Sequence, residues 1–272
     1  MSESTAKNAS HLLAWYEAMG VDEAIGETPV DRFAAPAAPS SSESSAEERK
    51  RAPAASPDAR VRPPKAARTS PPAASAAAPS LEEIETLADL EKAVAAFDGC
   101  ALKRTAKNTC FARGNDKAKV MLIGEAPGRD EDLQGKPFVG RAGRLLDKML
   151  ATIGLDENAV YITNTIYWRP PGNRTPTAQE IGACMPFLTR QIELLEPQVI
   201  VLLGGAAAKS VLDTTDGIMR LRGKWKLYNA KGRDIPTLAT LHPAYLLRTP
   251  DAKRLAWRDL LMLKARLEEL AQ

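Results

Sequence analysis

Long hydrophobic runs are missing from this chain of 272 residues, and none approaches the roughly 18 consecutive apolar residues that a membrane span requires. A transmembrane protein is excluded on that ground. Met1–Ser10 carries no basic stretch followed by an apolar core and a small-residue cleavage site, so no secretory leader is expected and the chain reads as cytoplasmic. Cysteine is scarce: Cys100, Cys110 and Cys184 cannot all pair, which rules out a disulfide framework and leaves thiols or metal ligands. An excess of one charge is also lacking, because 37 Lys and Arg against 34 Asp and Glu give +3, a balance that neither requires nor forbids a nucleic-acid partner. Neither a phosphate loop ending in Gly-Lys-Ser/Thr nor the G-x-G-x-x-G dinucleotide spacing is present, which disfavours nucleotide hydrolysis. What remains is a chain with 44% hydrophobic and 26% charged residues, ordinary for a globular protein and long enough to bury a core in one or two domains.

The composition divides the chain into three parts: 1–33, 34–79 and 80–272. Residues 34–79 are built of Ala, Pro, Ser and charges, with Val61 as their only large aliphatic side chain. Such a segment buries too little apolar area to offset its chain entropy and is expected to be a disordered tether. Between Arg49 and Arg68 it holds seven basic residues and one acid, a stretch suited either to transient phosphate contact or to keeping a linker solvated. Ahead of it, Leu12, Trp15, Tyr16 and Met19 recur at helical spacing between a candidate cap, Ser10, and Gly20. This short amphipathic helix either docks on its own domain or fits a partner protein's groove, and His11 beside it reads as an exposed residue without chemistry.

From residue 80 onward, apolar runs alternate with amphipathic stretches. Ser80 with Glu83, and Thr86 with Asp89, fit capping boxes ahead of a first helix. The runs 120–123, 160–163, 199–203 and 236–241 read as strands, and 142–153, 178–195, 206–212 and 254–270 as helices. This alternation predicts an α/β fold of three layers, a parallel sheet with helices on both faces. A hairpin is expected over 219–228, where Leu221, Trp225 and Leu227 partly alternate with basic residues.

Ligands of open parallel sheets sit beyond the carboxyl ends of the strands. The first run ends in Gly124-Glu125-Ala126-Pro127-Gly128, followed by the acids Asp130, Glu131 and Asp132; the second ends in Asn164, the third in Gly204-Gly205 and the fourth in His242-Pro243. A polar, glycine-rich rim therefore converges from four segments. Between the first two lies Gly135-Lys-Pro-Phe138-Val-Gly-Arg141-Ala-Gly143, whose glycines and proline hold an aromatic in a constrained loop, a poor place for a core residue and a good one for a stacking platform.

Taken together, Gly124-Glu-Ala-Pro-Gly, Glu131-Asp132, Pro137-Phe-Val-Gly, Tyr161-Ile-Thr-Asn164, Arg169-Pro-Pro-Gly-Asn-Arg-Thr-Pro176 and His242-Pro-Ala-Tyr-Leu-Leu-Arg248 resemble the motifs of the uracil-DNA glycosylase superfamily, and most of all its family 4. The resemblance runs in order from about residue 98 to the end. It implies a four-stranded parallel sheet and a monofunctional glycosylase that takes a flipped uracil from uracil-containing DNA; separately, the chain is expected to be a monomer. It further implies that Gly124, Glu125, Ala126, Phe138, Asn164 and His242 bind the base, with Phe138 stacking on it and Asn164 reading its edge. His242 would stabilise the departing base, Glu131 would orient the attacking water, and Glu125 would shape the pocket or polarise His242. Leu246 and Leu247 would fill the gap left by the extruded base, while Arg141, Arg169, Arg174 and Arg248 would meet the DNA backbone. A related branch that is trapped covalently on its substrate carries a basic insertion ahead of the motif histidine; 237–241 has none, so turnover is expected.

One departure matters. Many family 4 enzymes hold an iron-sulfur cluster on four cysteines, and Cys100 and Cys184 match two of those positions, while Phe97 and Trp168 occupy the other two. Neither aromatic ring can ligate iron, so no cluster and no other cofactor is expected. Two other readings stay open at this point: a glycosylase of wider scope that also takes deaminated purines, and a catalytically silent DNA-binding adaptor with the same fold.

Overall fold

The structure is a computed structural model that describes residues 81–270. The helix expected near residues 11–19, the tether at 34–79 with its basic stretch, and the Ser80 cap lie outside the described residues. In chain order the elements are α1 (Leu87–Ala96), β1 (Arg113–Gly114), β2 (Val120–Gly124), α2 (Arg129–Gln134), α3 (Arg141–Ala151), β3 (Val160–Asn164), α4 (Ala178–Leu195) and β4 (Val199–Leu203). They continue with α5 (Gly205–Val211), α6 (Ile218–Leu221), β5 (Trp225–Ala230), β6 (Arg233–Thr240), α7 (Pro243–Arg248) and α8 (Lys253–Leu270).

The strands form one sheet in the order β1-β3-β2-β4-β6-β5. Its four central strands, β3, β2, β4 and β6, are parallel, as the continuous apolar runs predict. The sheet has six strands, not four, because β1 and β5 close its two edges as antiparallel partners of β3 and β6. Alternate side chains of β2, β3 and β4 enter different cores. Met121, Ile123, Tyr161, Ile200 and Leu202 pack with Leu188 and Ile192 of α4 and Val211 of α5. Val120, Leu122, Ile162, Val199 and Val201 pack on the opposite face with Leu146 and Leu150 of α3 and Leu260 and Leu263 of α8. Burial on both faces explains why these strands are apolar at every position rather than at every second one.

The hairpin expected over 219–228 is displaced. Ile218–Leu221 is a helical turn, and the hairpin joins Trp225–Ala230 to Arg233–Thr240 through Lys231 and Gly232, both at positive φ (48° and 86°). Two consecutive residues in that region make the mirror-image turn that matches strand twist. The turn, not the partial alternation upstream, sets the pairing. Helix starts follow the expected chemistry: Thr86 accepts from Asp89 N–H, and Thr177 and Glu180 form a complete capping box on α4.

The connection from α2 to α3 is the tightest part of the fold. Phe138 adopts φ 55°, a conformation that bulky residues avoid, and α3 lies directly on its backbone. A Cβ at Gly143 would stand 1.6 Å from the Phe138 carbonyl oxygen, so only glycine lets the helix approach this closely. Gly143→Ala is therefore expected to destabilise the fold by about 3 kcal/mol, the upper range for overpacking. Gly182→Ala, on α4 with open space around its Cβ position, should instead stabilise by up to about 1 kcal/mol. Urea denaturation of both variants checks the contrast.

Candidate active site

A cavity of about 440 Å³ opens at the carboxyl end of the parallel strands. Its walls include Glu125, Ala126, Glu131, Phe138, Asn164 and His242. The β2, β3 and β6 ends deliver Glu125, Ala126, Asn164 and His242 as the sequence predicts, while α2 carries Glu131 and the loop after it carries Phe138. Gly204 and Gly205 do not line the cavity but begin α5 behind it. Gly124, expected to bind the base, does not line the cavity but lies against two residues that do: a Cβ there would lie 2.4 Å from Asn164 Oδ1 and 2.5 Å from the Phe138 ring, so a side chain would push both out of place. Phe138 is buried, and its ring centroid is 5.7 Å from that of His242.

Two side chains in the cavity have unusual polar states. Asn164 is buried, and its Oδ1 has no hydrogen-bond partner among the described residues. A buried acceptor left open costs stability unless a ligand completes it. His242 caps α7 by accepting Ala244 N–H at Nδ1, 3.1 Å away, which puts its proton on Nε2. Burial, assisted by the charge of Arg248, lowers the His242 pKa from 6.5 to about 4. The imidazole is therefore neutral at physiological pH, and its Nε2–H is a hydrogen-bond donor. Because Nδ1 is already an acceptor, no carboxylate can polarise the ring through it. The expectation that Glu125 polarises His242 is corrected accordingly.

The acids of the rim separate by environment. Glu131 Oε1 accepts Gly140 N–H at 2.8 Å, which fixes the carboxylate at the cavity wall and leaves its second oxygen without a protein donor among the described residues. Glu125 makes no side-chain hydrogen bond there, and burial raises its pKa. Its backbone oxygen accepts from Thr165 Oγ1 and Ile166 N, which pins the turn after β2 to the segment after β3. Asp132 is buried and accepts Lys107 and Asn108 N–H, a structural tie to the preceding loop.

The basic and apolar residues expected at the DNA surface divide as well. Leu246 is fully buried with Leu241, Ala252 and Ala256, so it cannot enter DNA and its assignment is corrected. Helix periodicity turns it inward. Leu247 is exposed, as is Tyr245, which lines the cavity and which sequence reasoning passed over; its position between His242 and Arg248 was the available signal. Arg248 lines the cavity mouth, while Arg141 is exposed on α3. Arg174 also lines the cavity, but its fork is engaged by Glu180 at 2.6 and 2.9 Å. Arg169 donates to Asn173 Oδ1 at 2.7 Å.

Phe97, Cys100, Trp168 and Cys184 do converge, in a core behind the cavity that also holds Phe187. The Phe97 and Phe187 rings meet edge-on at 4.9 Å, and the Trp168 indole N–H donates to Thr109 Oγ1 at 3.1 Å. Burial, reinforced by the neighbouring Cys100, pushes the Cys184 thiol up. Cys110 lies apart, donating to Glu131 O at 3.1 Å. Two thiols and two aromatic rings do not fit a four-thiolate cluster. Among the described residues, no group of three or more His, Cys, Asp or Glu side chains is arranged to hold a metal.

Comparison with known proteins gives this arrangement a family. Residues 111–261, more than half of the chain and the part that builds sheet and cavity, match the uracil DNA glycosylase superfamily, and the chain belongs to it. Its similarity runs to the type-4 uracil-DNA glycosylases. It is 42% identical over 174 residues to that of Archaeoglobus fulgidus, covering 62% of this chain and 87% of the relative. It is 42% identical over 173 residues to that of Saccharolobus solfataricus (62% and 80%) and 40% identical over 164 residues to that of Thermotoga maritima (59% and 84%).

The Arg174 pair sets a pH dependence of its own. Arg174, together with the Thr177 N–H, holds the Glu180 carboxyl at about 2 in place of the ordinary 4.5. A carboxyl with a lowered folded-state pKa contributes stability that is present above 4.5 and is lost as pH falls towards 2. Glu180→Gln should flatten the decline in stability over that window, as measured by denaturant titration at several acidic pH values.

Proposed function

We propose that the chain is a uracil-DNA glycosylase, a hydrolase that cuts the bond between uracil and deoxyribose in DNA, leaves an abasic site and so begins base-excision repair. The observation that carries the reading is the presence in one cavity of an open acceptor, Asn164 Oδ1, and a neutral histidine whose free nitrogen is a donor. Uracil presents the complementary edge. Its N3–H suits Asn164 Oδ1 and its O4 suits the Asn164 amide nitrogen, whereas cytosine offers a lone pair at N3 and an amine at C4 and meets like against like at both positions. Phe138 stacks on the extruded ring, and the turn at Glu125 and Ala126 offers backbone donors to its carbonyls.

In the reaction the C1′–N1 bond breaks with its electron pair passing to the base, where negative charge gathers on O2. His242 Nε2–H donates to that oxygen, an interaction that strengthens as charge develops, and the fixed donor needs no reorganisation. The sugar becomes cationic, and the Glu131 carboxylate, held by Gly140 N–H, stabilises it and orients the water. Water adds to C1′ and gives its proton to Glu131, from which it passes to solvent or to the departing uracil. Glu125, half-buried with a raised pKa, shapes the wall beside the base. Leu247 and Tyr245 are the exposed apolar groups available to fill the vacated stack, and Arg248 the cation at its edge.

The chain does this without an iron-sulfur cluster. The packing of Phe97 and Trp168 with Cys100 and Cys184 supports that reading, since the aromatic rings fill the space that ligands would need.

Anaerobically purified protein should be colourless, with iron and sulfide far below one cluster per chain; stoichiometric iron would overturn the cofactor reading. His242→Ala should slow single-turnover excision of uracil by about 100-fold or more while DNA binding changes little, and Glu131→Gln should slow the same step. Asn164→Asp should alter the choice between uracil and cytosine more than the rate. Excision at the wild-type rate by both the His242 and Glu131 variants would contradict the assignment.

A further inference from the structure

A second groove, about 410 Å³, lies where α3 meets α7 and the start of α8. It is lined by Arg141, Arg144, Leu145, Lys148, Leu247 and Lys253, with no carboxylate in its wall. The four cations are exposed, and none forms an ion pair among the described residues. The one acid of α3, Asp147, is bound to Arg113 at 2.5 Å. An uncompensated row of this kind loses stability through self-repulsion, which a polyanion would relieve.

The groove and the candidate active site have no lining residue in common but are built on the same two helices, α3 and α7. α3 begins beside Gly140, whose N–H holds Glu131, and α7 begins at His242. Leu247 stands in the groove itself, one residue from Arg248 at the cavity mouth. Along α3, Arg141, Arg144 and Lys148 occupy positions i, i+3 and i+7 of one face and span about 10 Å of helix axis at 1.5 Å per residue. One strand of B-DNA advances about 3.4 Å along the duplex axis per phosphate, so the row covers about three phosphate-to-phosphate steps.

We propose that this groove carries the DNA backbone on one side of the extruded nucleotide, with Arg141, Arg144 and Lys148 along one strand, Lys253 across from them, and Leu247 marking where the duplex is opened. The proposal rests on the glycosylase reading for the identity of the polymer and adds the path that the polymer takes. Arg144, Lys148 and Lys253 touch neither the base cavity nor its acids, so they should govern affinity and not chemistry.

The test uses the full chain carrying Arg144→Ala, Lys148→Ala and Lys253→Ala together. Its substrates are a long uracil-containing duplex and a short uracil-containing oligonucleotide that ends just beyond the target. The triple variant should bind the long duplex about 10-fold or more weakly at low salt, and the slope of log affinity against log salt should become shallower by about 2 to 3. Its single-turnover rate at saturation, and its action on the short oligonucleotide, should equal those of wild type. The control, Lys117→Ala with Lys119→Ala, alters exposed lysines at the opposite, amino end of β2 and should leave the slope near the wild-type value. An unchanged slope in the triple variant, or an equal loss in the control, overturns the path. Absence of uracil release by the wild-type chain would instead overturn the glycosylase reading, and the two failures are thereby distinct.

Discussion

The hydrogen bond from Ala244 N–H to His242 Nδ1 joins the end of the sheet, the start of α7 and the polar chemistry of the cavity. Pro243 follows the histidine as the first helical residue, where its missing N–H costs nothing and its fixed φ favours the helix. The imidazole then supplies the cap that a Ser or Asp would ordinarily provide. That structural duty fixes the tautomer. With Nδ1 accepting, the single proton sits on Nε2, and burial keeps a second proton away. A side chain that completes a helix end is in this way also a neutral donor at the cavity wall, held without a carboxylate partner among the described residues.

The remainder of the cavity is arranged around that donor. Phe138, forced into the left-handed region and overlain by α3 at Gly143, brings its ring to the imidazole, while Gly124 leaves room for Asn164 beneath. Hydrogen bonding, not sequence order, divides the acids. Glu131 is oriented by Gly140, Asp132 is committed to the loop at 107–108, and the Glu125 side chain is left half-buried without a polar partner among the described residues. A strained loop with an open acceptor beside it is the pattern expected where stability is given up for preorganisation.

Much of this was legible in the sequence, for a physical reason. Strands buried on both faces write themselves as unbroken apolar runs, so β2, β3, β4 and β6 and the residues at their ends could be located without coordinates. The edge strands could not: β1 is two residues long, and the β5 hairpin is set by the left-handed pair Lys231-Gly232, which ordinary propensity does not reveal. Side-chain direction on the short helix α7 was likewise hidden. Six residues carry too little periodicity to say that Leu246 turns inward while Tyr245 and Leu247 face out. The meeting of Phe97, Cys100, Trp168 and Cys184 was implied by the resemblance to the four-cysteine pattern of family 4, but the edge-on packing that fills their common space required the structure.

The central claim is that His242 is a neutral, preoriented donor before any ligand arrives. Nitrogen-edited NMR of the imidazoles in the full-length chain tests it most directly, because the chain holds only one other histidine, His11. The account predicts that the His242 ring stays neutral, with its proton on Nε2, as pH is lowered through the ordinary 6.5, and titrates only near 4. A His242 that gains its second proton near 6.5, or that carries its single proton on Nδ1, would contradict it.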